Sequence, residues 1–383
     1  MKKLLSFFCF SVIIFSSYSQ VLDSAELSAQ KDYLSIDWEE AKNNSRKVYK
    51  LSLNASQINT TVIPEEVFDC KNLQVLELSG FHITGNEKEF ANLQNLQVLS
   101  INYNSRLANI PKELTTLPNL VELSLYDANL NAVPEELFNM VNLKRLNLGS
   151  NKFSVLPSKI ENLVNLESLY LKRGRLTSLP PQIGNLTNLR ELYISNNYLE
   201  RLPGEIGKLK NLEYLDMKNC DLPQLPKGIC LLENLKFLNI SDNSFRELPA
   251  EIGKLSNLEE LHISRTPLKT LPQSFGQLKK LKYLNVINCN LESLPDCIGG
   301  LSGLNYAHFG WNYIKNIPES FFDLNNIVSV EFINNEIKTV SEKAGNMKKC
   351  KYFGIDRNPV MDDDSEMEKL QKILPDTKFT MNK

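Results

Sequence analysis

Apolar side chains in this 383-residue chain follow one pattern that returns about every 23 residues. In Leu189–Leu212 they fall at Leu189, Leu192, Ile194, Leu199, Leu202, Ile206 and Leu209, and Leu212 starts the pattern again. Alternation around Leu192-Tyr193-Ile194 predicts a short strand. Leu192 and Ile194 point inward; Glu191, Tyr193 and Ser195 point to solvent. Asn197 at the ninth position predicts a tight turn, because its amide donates and accepts at once and can satisfy buried backbone groups. The return stretch opens with proline and often acids, as in Pro134-Glu135-Glu136, which predicts a short helix or 3₁₀ turn.

Copies start at Val48, Leu73, Leu96, Leu120, Leu143, Leu166, Leu189, Leu212, Leu235, Leu258, Leu281, Leu304 and Ile327, with a partial copy from Cys350 to Val360. A fixed period of this length is the signature of a repeat array. The spacing L-x-x-L-x-L-x-x-N-x-L, with return segments of the form L-P-x-x-I-G-x-L-x-N-L, resembles the leucine-rich repeat family, and in particular its exported bacterial members. The resemblance implies an α/β fold: a right-handed solenoid, or horseshoe, with a parallel sheet on the concave side and helical or 3₁₀ segments on the convex side. It also implies a non-catalytic scaffold that binds a protein.

Four regions are expected: a signal peptide over 1–19, an N-terminal cap over 20–47, repeats over 48–360, and a cap helix and strand over 361–383. Caps shield the apolar edges of a terminal repeat. Ser35–Ala41 reads as a short helix with Ser35 as its cap and with Ile36, Trp38 and Ala41 covering the first repeat. At the other end Met367, Leu370, Ile373 and Leu374 make one apolar helical face, and Asp362, Asp363 and Asp364 suit the helix start. The ninth position alternates Asn104, Ala128, Asn151, Gly174, Asn197, Cys220, Asn243, Thr266 before Cys289 breaks the phase. The turns at Ala128 and Gly174 are expected to rely on backbone bonds or a buried water.

Lys2 and Lys3, the apolar run Leu4–Phe15 and the small residues Ser17 and Ser19 form the pattern of a cleaved export signal. No later stretch is long and apolar enough to span a bilayer. With 43 basic and 45 acidic residues the net charge is −2, which gives no footprint for nucleic acid. Seven cysteines occur. Cys220 and Cys289 lie three repeats, roughly 14 Å, apart, too far for a disulfide; the reading is free thiols in the core.

No phosphate loop, nucleophile elbow, zinc spacing or dinucleotide fingerprint occurs, and no cofactor is expected. The candidate site is the concave face. Its outward residues include Tyr170, Lys172, Arg173, Tyr193, Tyr214, Asp216, Lys218 and Phe237, then His262, Arg265, Tyr283, Tyr306, His308 and Trp311. Aromatics suit strands anywhere and stabilise one another across a sheet, but tyrosine, tryptophan and arginine also dominate binding hot spots. A protein ligand is the first expectation. The alternative is a glycan whose sugar faces stack on the rings.

Overall fold

The structure, a computed structural model, describes residues 21–83, 87–104 and 110–380. The expected export signal lies outside the described residues. The chain divides into two compact units, Met1–Asn129 and Leu130–Lys383.

The first unit opens with α1 (Ser24–Ser28), β1 (Asp32–Leu34) and α2 (Trp38–Asn43). It continues with β2 (Lys50–Asn54), β3 (Val75–Ser79), β4 (Val98–Asn102) and β5 (Glu122–Ser124). Each strand pairs in parallel with the next. The cap departs from expectation in two respects. Trp38 and Ala41 are buried, but Ile36 is 87% exposed; a second buried ring, Tyr33, is carried by β1. Ser35 does not cap a helix: its Oγ accepts from the Asn54 N–H at 2.7 Å, tying the cap to the first repeat. Asp37 accepts from the Leu34 N–H instead, at 3.1 Å.

The second unit carries β6 (Arg145–Asn147), β7 (Ser168–Tyr170), β8 (Glu191–Tyr193), β9 (Tyr214–Asp216), β10 (Phe237–Asn239) and β11 (Glu260–His262). It continues with β12 (Tyr283–Asn285), β13 (Tyr306–His308), β14 (Ser329–Glu331), β15 (Tyr352–Gly354) and β16 (Lys378–Thr380). Successive strands are parallel and in register, so residues one repeat apart stand side by side, as Leu192 does beside Leu215. Each return segment is a 3₁₀ helix, as at Gly204–Lys208. The array is the expected right-handed coil, since parallel crossovers take that hand. Leu192, Ile194, Leu199, Ile206 and Leu209 are fully buried.

The ninth-position asparagine serves two repeats. Asn197 Nδ2 donates to Leu171 O (2.9 Å) and Ile194 O (2.7 Å), while Oδ1 accepts from Leu176 N (3.0 Å). Asn243, Asn312, Asn335 and Asn358 repeat the arrangement. Because each reaches back one repeat, turns such as those at Gly174, Cys220 and Cys289, which precede Asn197, Asn243 and Asn312, do not need an amide. The Gly174 turn closes through its own N–H to Asn196 O at 3.1 Å, as the sequence predicts. Cys220 fills the slot with a weak donor, its Sγ 3.1 Å from Ile194 O.

A second asparagine ladder, unforeseen, explains the Asn of L-x-N-L. Asn188, Asn211, Asn234 and Asn257 each donate to a carbonyl of the preceding repeat at 2.8–2.9 Å. Beside them the second position alternates in charge: Lys144, Glu167, Arg190, Glu213, Lys236, Glu259, Lys282. Ion pairs form at Lys144–Glu167 (2.9 Å), Arg190–Glu213 (3.0 Å), Lys236–Glu213 (2.5 Å) and Lys282–Glu259 (2.6 Å).

At the C-terminal end α3 (Asp364–Ile373) opens within the aspartate run. Asp363 caps it, accepting from Ser365 N and Glu366 N. Met367, Leu370 and Leu374 are buried, and β16 pairs with β15 as the last strand.

Candidate binding face

On the solvent side of the second unit's sheet, third- and fifth-position side chains form a floor and seventh- and eighth-position residues a rim. Strand pleating places successive outward residues about 7 Å apart along each strand, while neighbouring strands lie only about 4.8 Å apart. Flat rings on adjacent strands can therefore stack.

They do so in one continuous ladder. Tyr170 and Tyr193 stack with centroids 4.6 Å apart and planes 9° apart. Tyr193 meets Tyr214 at 4.7 Å, and Tyr214 meets Phe237 at 4.0 Å and 1°. The row continues through Phe237–His262 at 5.3 Å, His262–Tyr283 at 5.0 Å and Tyr283–His308 at 5.3 Å, with Tyr306 6.5 Å from Tyr283. The ladder changes column. Tyr170 and Tyr193 hold the fifth position, Tyr214 and Phe237 the third, His262 the fifth and Tyr283 the third. Eight of the sequence-predicted residues are thus one array.

Its chemistry is that of neutral rings beside carboxylates. Burial raises the Tyr193 and Tyr214 phenols well above the ordinary tyrosine range, and Glu191 and Asp216 push the same way. The hydroxyls stay protonated and can donate, as Tyr170 does to Glu191 at 2.9 Å. Burial lowers the pKa of His262, against the pull of Glu260. His308 Nδ1 lies 3.0 Å from Glu331, and this bond holds the Glu331 carboxyl below its usual value.

The rim holds the other predicted residues. Lys172 Nζ sits over the Tyr193 ring at 4.5 Å. Asp216 accepts from the Lys218 N–H at 3.2 Å. Arg265 clasps Asp242 with two guanidinium nitrogens, and Lys218 approaches the same carboxylate at 3.6 Å. Burial acts to raise the Asp242 carboxyl, but these two cations more than reverse it, and its pKa is lowered. Ser195, expected to face solvent, is buried, as are Ser241 and Ser264 at the same position. The turn closes over small seventh-position side chains and leaves only longer ones such as Lys172 and Lys218 partly exposed.

Sequence reasoning missed the eighth position's backbone. Arg173, Asn196, Asn219, Asp242, Arg265, Asn288, Trp311, Asn334 and Arg357 all have φ between 54° and 59°. Asparagine and aspartate tolerate this left-handed region; arginine and tryptophan are strained there. The recurrence of Asn at that position was the available signal. Trp311 is half exposed, with Arg357 over its ring at 5.7 Å.

Among the described residues no group of three or more His, Cys, Asp or Glu is placed to hold a metal ion. The cysteines described are free thiols, and burial pushes Cys70, Cys230 and Cys350 up to about 11 and Cys220 to about 12.

Family models agree with this architecture. One for a leucine-rich repeat region matches residues 182–243 and 227–306, and one for the leucine rich repeat matches residues 118–176. The chain belongs to the leucine-rich repeat family. No curated protein matches this leucine-rich repeat sequence significantly. Among solved structures it is similar to a leucine-rich repeat protein of Leptospira interrogans, with 26% identity and a TM-score of 0.79, over 91% of this chain and 100% of that one. It is also similar in fold to an internalin of Listeria monocytogenes, at 20% identity and a TM-score of 0.66, over 89% of each chain. A plant peptide hormone receptor, RGFR1 in complex with RGF2, shares the fold at 21% identity and a TM-score of 0.57, over 81% of this chain and 58% of the receptor. No helix among the described residues is long and apolar enough to cross a membrane.

Proposed function

We propose that this leucine-rich repeat protein is an exported, non-catalytic scaffold that holds a protein partner on the solvent face of its second-unit sheet. The observation that carries this reading is the ring ladder from Tyr170 to Tyr306. It gathers half-buried aromatic area into one strip, the composition of an interface core.

The stacking geometry favours a protein over a glycan. A sugar recognised by aromatics lies flat on a ring face. Here the faces of Tyr193, Tyr214 and Phe237 are covered by one another at 4.0–4.7 Å, so ring edges and hydroxyls point outward. Edges and phenols suit peptide groups and side chains. The same fold seats RGF2 in the plant receptor, so the fold itself is no obstacle to a peptide ligand. Export rests on the positively charged, then apolar, first residues of the chain.

The test is a capture experiment from cell-envelope and extracellular proteins, with a glycan array beside it. Wild-type chain should retain a protein that Tyr193→Ala/Tyr214→Ala loses while its melting curve stays cooperative. Unchanged capture by that variant would remove the face from consideration, and glycan binding without protein capture would favour the alternative. Sequencing the mature N-terminus checks export.

A further inference from the structure

The charges on this face are segregated. Across the second unit the second-position carboxylates Glu167, Glu213 and Glu259 each meet a lysine or arginine within 3.0 Å. The floor carboxylates Glu191, Asp216, Glu260 and Glu331 meet none within 4.0 Å among the described residues. Glu191 accepts only hydroxyls, from Ser168 and Tyr170. Asp216 accepts a backbone N–H. Glu260 and Glu331 have histidines, at 3.7 and 3.0 Å. Four rim cations are engaged elsewhere: Lys218 and Arg265 by Asp242, Lys172 over Tyr193, and Arg357 over Trp311.

We propose that the partner meets this floor with arginine or lysine side chains carried on an extended segment. This rests on the reading of the ladder as the binding face. Carboxylates beside neutral rings suit a cation twice over, through Coulomb attraction and through the ring electrons. Arginine fits best, since its flat guanidinium packs against phenol edges while its N–H groups reach a carboxylate. The floor is two residues deep along each strand, about 7 Å. An extended chain fits that width, whereas a helix of about 10–12 Å would overlie the paired second-position charges. Glu191 and Asp216 lie on adjacent strands, Asp216 and Glu260 two strands apart, and Glu260 and Glu331 three apart. At about 4.8 Å per strand and 3.3 Å per residue, the partner's basic side chains recur about every three to four residues along most of the strip.

The probe is a synthetic peptide with arginine at every third position and glycine and serine between, compared with its glutamate counterpart by fluorescence anisotropy. The arginine peptide should bind at least about tenfold more tightly. The quadruple variant Glu191→Gln/Asp216→Asn/Glu260→Gln/Glu331→Gln should lose about tenfold or more. A control with the same charge change away from the floor, on or just before the return segments, Glu205→Gln/Glu247→Gln/Glu292→Gln/Glu319→Gln, should lose less than about twofold. Equal binding of the two peptides, or equal losses in the two quadruple variants, overturns the proposal. The natural partner separates this inference from the reading beneath it. If Tyr193→Ala/Tyr214→Ala abolishes its capture and the carboxylate variant does not, the face stands and the basic segment falls. If neither variant affects capture, the face itself falls.

Discussion

The rings of Tyr214 and Phe237 lie 4.0 Å apart with their planes within 1° of parallel, although they belong to different repeats. Their contact is a repeat-to-repeat bond on the solvent side of the sheet, opposite the leucine core. Offset or stacked aromatic pairs contribute about 0.5–1.5 kcal/mol beyond the area they bury. A double-mutant cycle of Tyr214→Ala and Phe237→Ala, followed by urea unfolding, should give a coupling energy in that range. Additive losses would mean that the stack contributes nothing to stability.

Asn197 carries three backbone partners in two repeats, all buried. Asn197→Ala leaves Leu171 O and the Leu176 N–H unpaired, leaves Ile194 O with only the weak Cys220 thiol donor, and should cost about 2–4 kcal/mol. Gly174→Ala attacks the same joint sterically, because a Cβ there would stand 2.7 Å from Asn197 Oδ1. It should cost about 1–3 kcal/mol. Chemical denaturation followed by circular dichroism reads both, and a Gly174→Ala chain as stable as wild type would show that the Asn197 side chain moves aside.

Burial in the ladder lowers the His262 pKa, so the folded chain prefers the neutral ring. The sign is that of acid destabilisation. The contribution is complete above the unfolded value of about 6.5 and declines as pH falls through it towards the lower folded value. Glu331, lowered by its bond from His308, adds a second loss that begins only below the ordinary glutamate range. The melting temperature should therefore drop between about pH 7 and about pH 5, and His262→Phe should flatten that portion of the curve. A curve unchanged by His262→Phe would assign the acid sensitivity to other groups.

Arg173 adopts φ 57° at a position where six other repeats use asparagine or aspartate. Left-handed backbone costs a branched or bulky residue roughly 1 kcal/mol. Arg173→Asn should raise stability by about that amount, measured as a shift in denaturation midpoint. A loss of stability would mean that the guanidinium makes contacts worth more than the strain.

The fold was largely legible because its signal is redundant: a misread leucine in one repeat is corrected by a dozen others. Strands, turns, the double role of Asn197 and the proline-led 3₁₀ segments follow from period and residue type. The site was legible residue by residue but not as an assembly. Nothing in Tyr193 and Tyr214 as letters says that rings from different columns meet, since that depends on where two rotamers meet across the sheet. Asp242 went unnoticed because its importance lies in its grip on Arg265, a full repeat away. Ile36 was misassigned because a single apolar residue in a short segment has no periodicity to fix its side. Ser195 was misassigned because strand alternation ends at the turn, where the backbone folds over small side chains.

The alternating second-position charges give the array a parity. Removing the single repeat Leu212–Asn234 would set Arg190 beside Lys236, like against like. Removing two repeats, Leu212–Asn257, would set Arg190 beside Glu259 and restore the sign. The ninth position keeps the same count, because Asn197, Cys220, Asn243 and Thr266 also return in step only at every second turn. Although the backbone repeats every 23 residues, the smallest piece that can be excised without disturbing both ladders is twice as long. Between Lys144 and Lys282, changes in length that keep the side-chain bonding intact therefore come in even numbers of repeats.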